Sequence, residues 1–402
     1  MTETKKERTL TNSGANSLDI VIAIVFVLLT YLPLKSVYNF IRIGVVAVIF
    51  LFKYIGSEQD KKLNKIALCM VASPIISGAI VFVIELGSVN TGLIIHEIQR
   101  MIFCAMLIVT VRKLKLSFRV IYILTAIVLI SNFIIQILQY FQVGWVYDFI
   151  HNNYVSDTDA VFTHLDLSLT SKNAEIRCGG IFVNPNVYMA IPLYSMVVFL
   201  HRDMEKSGII NYILMACALV SGFITGSRTA TISMAIILGI YVFKYARSWS
   251  RLIFVVAAIV LIVRFGSDLF SSRAFSLDGG TNGSLGVKIS QFGWYFSSAN
   301  VIYWITGSIG SNAVSSFDSE IGHIYGWYGI FGIYWYAQYF GYIWNNCNQK
   351  VVFYTKPLIY ISLLVAFTAS ILLCMPIFPF AALVLFSDIG TKEEIVGEKG
   401  LK

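Results

Sequence analysis

Long apolar runs separated by short polar stretches constrain most strongly how this chain can fold. Several of the runs approach the roughly 20 residues that a helix needs to cross a bilayer. The sequence has twelve of them, at residues 18–34, 38–55, 66–86, 93–111, 118–140, 180–200, 209–226, 229–243, 252–265, 320–345, 357–373 and 376–388. Pro376 and Pro379 either separate the last two or kink a single helix, so eleven spans is an alternative. The pattern predicts an all-α polytopic integral membrane protein with about twelve transmembrane helices.

The composition excludes the common soluble classes. Only 13% of the residues are charged and 57% are apolar, whereas soluble domains have about 25% charged residues. A cytosolic enzyme, a disordered regulator and a coiled coil are therefore excluded. The six cysteines are scattered, without the spacing of zinc ligands or of a disulfide scaffold. We expect no metal and no cofactor.

The basic residues predict how the chain crosses the membrane. The net charge is +8, and most of the 30 lysines and arginines lie in the two tails and in every second connection between apolar runs. Such alternation marks the cytoplasmic side, so it predicts a membrane role for the charge and no nucleic-acid partner. Residues 1–402 form one membrane domain in this interpretation. It has cytoplasmic tails at 1–17 and 389–402 and long outer loops at 141–179 and 266–318.

The first chemically informative stretch lies where the first outer loop ends. Arg177 precedes two glycines, and Pro185 is flanked by Asn184 and Asn186. Proline frees a backbone carbonyl that an asparagine amide can satisfy. A helix cap with an interfacial arginine explains the stretch as well as a binding site does.

Further cations are predicted on the outer side. Arg228 lies in a Gly-Ser-Arg-Thr turn too short to be a loop, and Arg273 and Lys288 lie in the second outer loop. Contact of Arg228 with lipid phosphate is the simpler alternative, and a solvated charge is the simpler alternative for Lys288.

Acidic residues and a histidine open a later apolar run. Asp318 and Glu320 can cap a helix and complement its dipole, but this does not explain His323. Earlier in the chain, His96, Glu97 and Arg100 share a helix face, with Glu97 and Arg100 at i,i+3. A buried ion pair is the favoured explanation there, and a lining for a substrate cavity is the alternative.

Together these stretches resemble the Wzy-type O-antigen and capsular polysaccharide polymerases of the O-antigen ligase superfamily. The resemblance rests on R-x-G-G-x-F-x-N-P-N from Arg177, on G-S-R-T, on a long outer loop, and on an acid-led helix containing Y-G-I-F-G-I. The ligases usually carry His-Asn where this chain has Asp318-Ser319, which favours a polymerase. The family's second-loop arginine has no clean match, and Lys288 is the nearest candidate.

The resemblance implies a fold, an activity and a site. It implies a GT-C-like glycosyltransferase of the bacterial inner (cytoplasmic) membrane that elongates a surface polysaccharide: capsule, exopolysaccharide or O-antigen. The donor is an oligosaccharide on undecaprenyl diphosphate, the acceptor another lipid-linked repeat unit, and the expected partners are membrane lipid, a flippase and a chain-length regulator. The expected catalytic residues are Arg177, Arg228, Asp318, Glu320 and His323, and the expected substrate-binding residues are Asn184, Asn186, Arg273, Lys288 and Arg100.

Two other functions remain open from the sequence. An O-antigen ligase-like transferase would differ only in its acceptor. A non-enzymatic transporter of polysaccharide or lipid-linked sugar would be expected to show internal repeats and broken helices in matching halves, and the sequence has no internal repeat.

Overall fold

A computed structural model describes most of the apolar part of the chain. The described residues are 16–33, 36–55, 60–154, 178–182, 184–205, 208–244, 284–298, 301–311, 317, 319–348 and 354–390. Within these ranges the protein is mostly helical. Four helices are long and apolar enough to cross a membrane, so the protein is membrane-embedded. The apolar run at 252–265 lies outside the described residues.

The described residues up to 154 form six helices and one short strand. They are α1 (Ser17–Thr30), α2 (Ser36–Tyr54), α3 (Lys61–Ile84), α4 (Thr91–Arg112), β1 (Lys115–Ser117), α5 (Phe118–Tyr140) and α6 (Gly144–Tyr154). Helices α2 to α5 are the four candidate spans. Four of the helices begin at a capping side chain that accepts a hydrogen bond from a first-turn N–H group. The caps are Asn16 for α1, Asp60 for α3, Asn90 for α4 and Ser117 for α5.

The second half is more interrupted. After a 3-10 turn (Gly180–Phe182) come α7 (Pro185–Tyr188), α8 (Ala190–Glu205), α9 (Ile209–Ile224), α10 (Arg228–Lys244), α11 (Ser284–Ser298), α12 (Val301–Thr306), α13 (Glu320–Asn346), α14 (Thr355–Ala366), α15 (Phe378–Phe386) and β2 (Asp388–Gly390). Helices α6, α11 and α12 lie within the stretches predicted as long outer loops.

Three apolar runs differ in extent from the helices predicted for them. The run at 180–200 divides into the 3-10 turn, α7 and α8, because Asn184 caps a new helix at Pro185. The runs at 357–373 and 376–388 form two separate helices, joined by the non-helical segment 367–377. Helix α15 has only nine residues, all buried. At 1.5 Å per residue it is about 14 Å long, half the thickness of a hydrocarbon core.

Contacts sort the described helix ends into two groups, which we call the Asp19 end and the Glu85 end. At the Asp19 end, Asp19 pairs with Lys53 and accepts from the N–H of Lys115. There β1 also pairs in parallel with β2, so the predicted tail at 389–402 begins in a strand. At the Glu85 end, Glu85 accepts from the Tyr303 hydroxyl at 2.9 Å, and Asn90 N donates to Gly310 O at 2.8 Å.

Asp60 links three helices at the Asp19 end. Its carboxylate caps α3 and accepts from the Tyr342 hydroxyl of α13. Partial burial acts to raise the pKa of Asp60. The hydrogen bonds from Tyr342, Leu63 N and Lys62 N and the charge of Arg112 on α4 outweigh burial and hold the pKa below its ordinary value.

We expect this carboxylate to make stability depend on pH. Because its pKa is lowered in the folded protein, its contribution is complete above the ordinary carboxyl pKa and is lost as pH falls through the folded value. At neutral pH, Asp60→Asn should cost about 0.5–1 kcal/mol, because asparagine keeps the cap but loses the charge. Thermal unfolding in detergent at neutral and acidic pH measures this. A difference from wild type that persists undiminished in acid would contradict it.

Candidate functional site

Side chains from α4 and α13 form a buried polar cluster with the segment that joins α14 to α15. We call it the Glu97 cluster. It comprises Glu97, Arg100, Glu320, His323, Tyr328, Tyr336 and residues 371–373.

Glu97 lies at the centre of the cluster and is fully buried. One carboxylate oxygen pairs with the guanidinium of Arg100, one turn along α4, so the ion pair predicted from the sequence is present. The other oxygen accepts from the Tyr328 hydroxyl at 2.6 Å. His96 lies outside the core, with a half-exposed side chain and its Nδ1 3.7 Å from the carboxylate. Each charge of the pair therefore has an opposite charge beside it inside the protein.

His323 approaches the same carboxylate from α13. Its Nε2 lies 3.5 Å from Glu97 Oε2. Within the described part of the structure this nitrogen is buried and has no hydrogen-bond partner. The imidazole ring packs on the indole of Trp327, with 3.7 Å between ring centroids. An unsatisfied polar atom in a buried site is costly, which sets His323 apart from its neighbours.

Glu320 is fully engaged by the segment between α14 and α15. It is the first residue of α13, follows the capping residue Ser319, and is buried. One oxygen accepts from the N–H groups of Ile371 and Leu372 at 2.6 and 2.7 Å, and the other accepts from the Tyr336 hydroxyl at 2.5 Å. The carboxylate supplies the acceptors that the interrupted helix lacks.

Donors from α4 hold the carbonyl side of the same segment. Arg100 Nη1 donates to Leu373 O at 3.4 Å, and the Cys104 thiol contacts Leu372 O at 3.2 Å. The non-helical backbone is thus fixed from both sides, by Glu320 on its N–H groups and by Arg100 and Cys104 on its carbonyls.

A kink in α13 separates the residues of this cluster. Gly329 has φ 62° and ψ −152°, which is not helical. Ser308 donates to Gly326 O, through its N–H at 2.9 Å and its hydroxyl at 2.7 Å, and the Ser77 hydroxyl donates to Trp327 O at 2.7 Å. Carbonyls near the kink therefore keep partners inside the protein.

The stretches that carry Arg177 and Arg228 meet at the Glu85 end. Cys178 N donates to Ile224 O at 3.1 Å. The Ser227 hydroxyl contacts the Met189 sulfur at 3.1 Å. Gln136 of α5 donates to Cys178 O at 2.9 Å. Residues adjacent to both arginines are thus held in one packed region.

The structure brings some predicted site residues together. Glu320, His323 and Arg100 all belong to the Glu97 cluster. Asn184 caps α7 and accepts from Asn186 N at 2.9 Å, as the capping alternative predicted. Arg177, Arg273 and Asp318 lie outside the described residues. Arg228 opens α10 and Lys288 lies in α11, but their side chains are outside the described part.

Sequence reasoning missed the contacts that connect distant helices. In the sequence, Tyr328 and Tyr336 are two of many aromatic residues in an apolar run. Nothing in their spacing indicates a hydrogen bond to Glu97 or Glu320. The unpaired His323 in an apolar run was the available signal. Among the described residues, no group of three His, Cys, Asp or Glu is placed to hold a metal ion.

No family model matches the sequence, and no curated protein matches it significantly.

Proposed function

We propose that this protein is a polysaccharide repeat-unit polymerase of the bacterial cytoplasmic membrane. It spans the membrane about twelve times with both termini in the cytoplasm, and the reaction takes place at the Glu85 end, on the outer side. It transfers a glycan from undecaprenyl diphosphate to the terminal sugar of another lipid-linked repeat unit.

The hydrogen bond between Cys178 N and Ile224 O is the observation that supports this proposal best. It joins the residue after Arg177 to a helix end four residues before Arg228. Arginines that adjoin two connected segments suit a lipid diphosphate, because a planar guanidinium binds phosphate oxygens in pairs. In the proposed reaction they stabilise the charge that develops as the glycosidic bond breaks.

The Glu97 cluster supplies the proton acceptor in this proposal. Glu320 already accepts three hydrogen bonds, which commits it to holding the backbone at 371–372. His323 makes no such commitment: its Nε2, which faces Glu97, has no hydrogen-bond partner in the described structure. We therefore assign the proton of the acceptor hydroxyl to the other ring nitrogen, Nδ1.

A gene deletion tests the class of activity. Loss of a polymerase should leave surface glycans of a single repeat unit in place of a ladder. Full-length polymer that stays on the carrier lipid would indicate a ligase-like transferase instead. An unchanged ladder would refute the proposal.

Arg228→Lys should reduce polymerisation about 100-fold, equivalent to about 3 kcal/mol, because a point charge cannot replace the bidentate fork. Glycan chain length and the rate of chain extension measure this in the complemented deletion strain. The matched control is Arg202→Lys, because Arg202 lies near the other end of the helices and pairs with Glu205. Wild-type chain lengths with Arg228→Lys would rule out the proposed role.

One observation favours a transporter as the second candidate. Transporters bind their substrates at discontinuous helices, and both the segment 367–377 and the kink at Gly329 interrupt apolar helices. Deletion of a flippase would remove all surface glycan, including the single-unit product, which distinguishes the two functions.

A further inference from the structure

We propose that Glu97 is the positioning residue for His323 in the transfer reaction. This inference rests on the proposed function and adds to it a carboxylate from α4, 226 positions away in the sequence. The pairing joins the two helices that carry the Glu97 cluster.

One oxygen of the Glu97 carboxylate, Oε2, can still accept a further hydrogen bond. Arg100 occupies Oε1, and the Tyr328 hydroxyl donates to Oε2 at 2.6 Å. A carboxylate oxygen can accept two hydrogen bonds, so Oε2 can accept one more. His323 Nε2 lies 3.5 Å away without a hydrogen-bond partner in the described structure. Catalytic hydrogen bonds are often long before the substrate binds and tighten in the complex.

The surroundings favour a positive charge on His323 only while Glu97 is ionised. An imidazolium in a buried site needs a nearby negative charge. The Trp327 ring, 3.7 Å away, adds attraction for a cation. Arg100 of α4 opposes that charge, and its pairing with Glu97 reduces the opposition. Glu320 lies one turn earlier on α13, while the half-exposed His96 of α4 faces the opposite oxygen of Glu97.

The proposed step balances as follows. The acceptor hydroxyl oxygen bonds to the anomeric carbon of the donor, and the bond from that carbon to the phosphate oxygen breaks. Undecaprenyl diphosphate leaves with the electron pair, and the hydroxyl proton passes to Nδ1 of His323. Nε2–H then donates to Glu97, which fixes the tautomer and balances the imidazolium, as the carboxylate does in a catalytic triad.

Chain extension should be measured as a function of pH, with lipid-linked repeat units extracted from the deletion strain as substrate. Glu97→Gln keeps the shape and removes the charge. We expect kcat to fall about 100-fold, the lower end for general base catalysis, with KM within about threefold. The acid limb of the profile should move to lower pH, since the imidazolium loses its neighbouring negative charge.

Two conservative variants separate charge from geometry. Glu97→Asp should keep the acid limb where it is in wild type while kcat falls. His96→Gln should leave the profile unchanged, which excludes His96 as the titrating group. Glu85→Gln is the matched acid control, because Glu85 also accepts from a tyrosine hydroxyl but lies outside the cluster.

The outcomes separate this inference from the proposed function. If the deletion abolishes the ladder but Glu97→Gln retains wild-type rates, Glu97 has no part in catalysis. An equal loss at every pH, with the acid limb unmoved, would show a purely structural carboxylate. If the deletion leaves the ladder intact, the proposed function fails and the inference fails with it.

Discussion

Replacing Gly329 with alanine should destabilise the protein by about 3–5 kcal/mol, from the cost of a glycine-only backbone conformation together with a steric clash. Its φ of 62° and ψ of −152° lie in a region of backbone conformation that is essentially restricted to glycine. An added Cβ would lie 2.1 Å from Ile305 O and 2.6 Å from Gly307 N. Both contacts are with backbone atoms, so no side-chain rotation can relieve them. The kink and the end of α12 would have to separate.

Gly341 provides a matched control in the same helix. Nothing lies within 4 Å of a Cβ added there, so Gly341→Ala should stabilise α13 by about 0.5–1 kcal/mol. Thermal unfolding of the purified protein in detergent compares the two variants. Equal unfolding temperatures for Gly329→Ala and wild type would show that α13 is not kinked as described.

The sequence predicted most helices because apolar runs are local signals. The runs at 38–55, 66–86, 93–111 and 118–140 became α2, α3, α4 and α5 with small shifts of their ends. The ion pair of Glu97 and Arg100 was predictable for the same reason, since residues at i,i+3 on a helix must face each other.

Contacts between distant segments were not predictable in this way. The apolar run at 357–373 gives no sign that its own backbone, at residues 371 and 372, bonds to Glu320, because a carboxylate from another helix supplies the acceptors. Arg42 shows the same limit. Nothing in the apolar run around it indicates a partner, but it is fully buried and donates to Leu29 O at 3.2 Å and to Asn39 Oδ1 at 2.6 Å.

Replacing Glu320 with alanine should cost about 3–5 kcal/mol, because it leaves buried donors without an acceptor. The N–H groups of Ile371 and Leu372 and the Tyr336 hydroxyl all lose their partner. Glu320→Gln should retain only part of the stability that Glu320→Ala loses. Its single carbonyl oxygen cannot serve both the backbone N–H pair and Tyr336, so its NH₂ group must face one of these donors.

Two measurements should report the loss of these hydrogen bonds: the stability of the whole protein and the accessibility of residues 371–374. We expect a lower unfolding temperature in detergent, and faster thiol labelling of Cys374 in a chain whose other five cysteines are replaced, because Cys374 follows the released residues 371–373. Glu205→Gln is the control: that carboxylate is 45% exposed, and losing its pairing with Arg202 should cost less than about 1 kcal/mol. If Glu320→Ala and Glu205→Gln unfold together and Cys374 reacts no faster, the segment is held by its apolar contacts and not by Glu320. In the proposed enzyme that result would leave Glu320 free to compete with His323 for the acceptor proton.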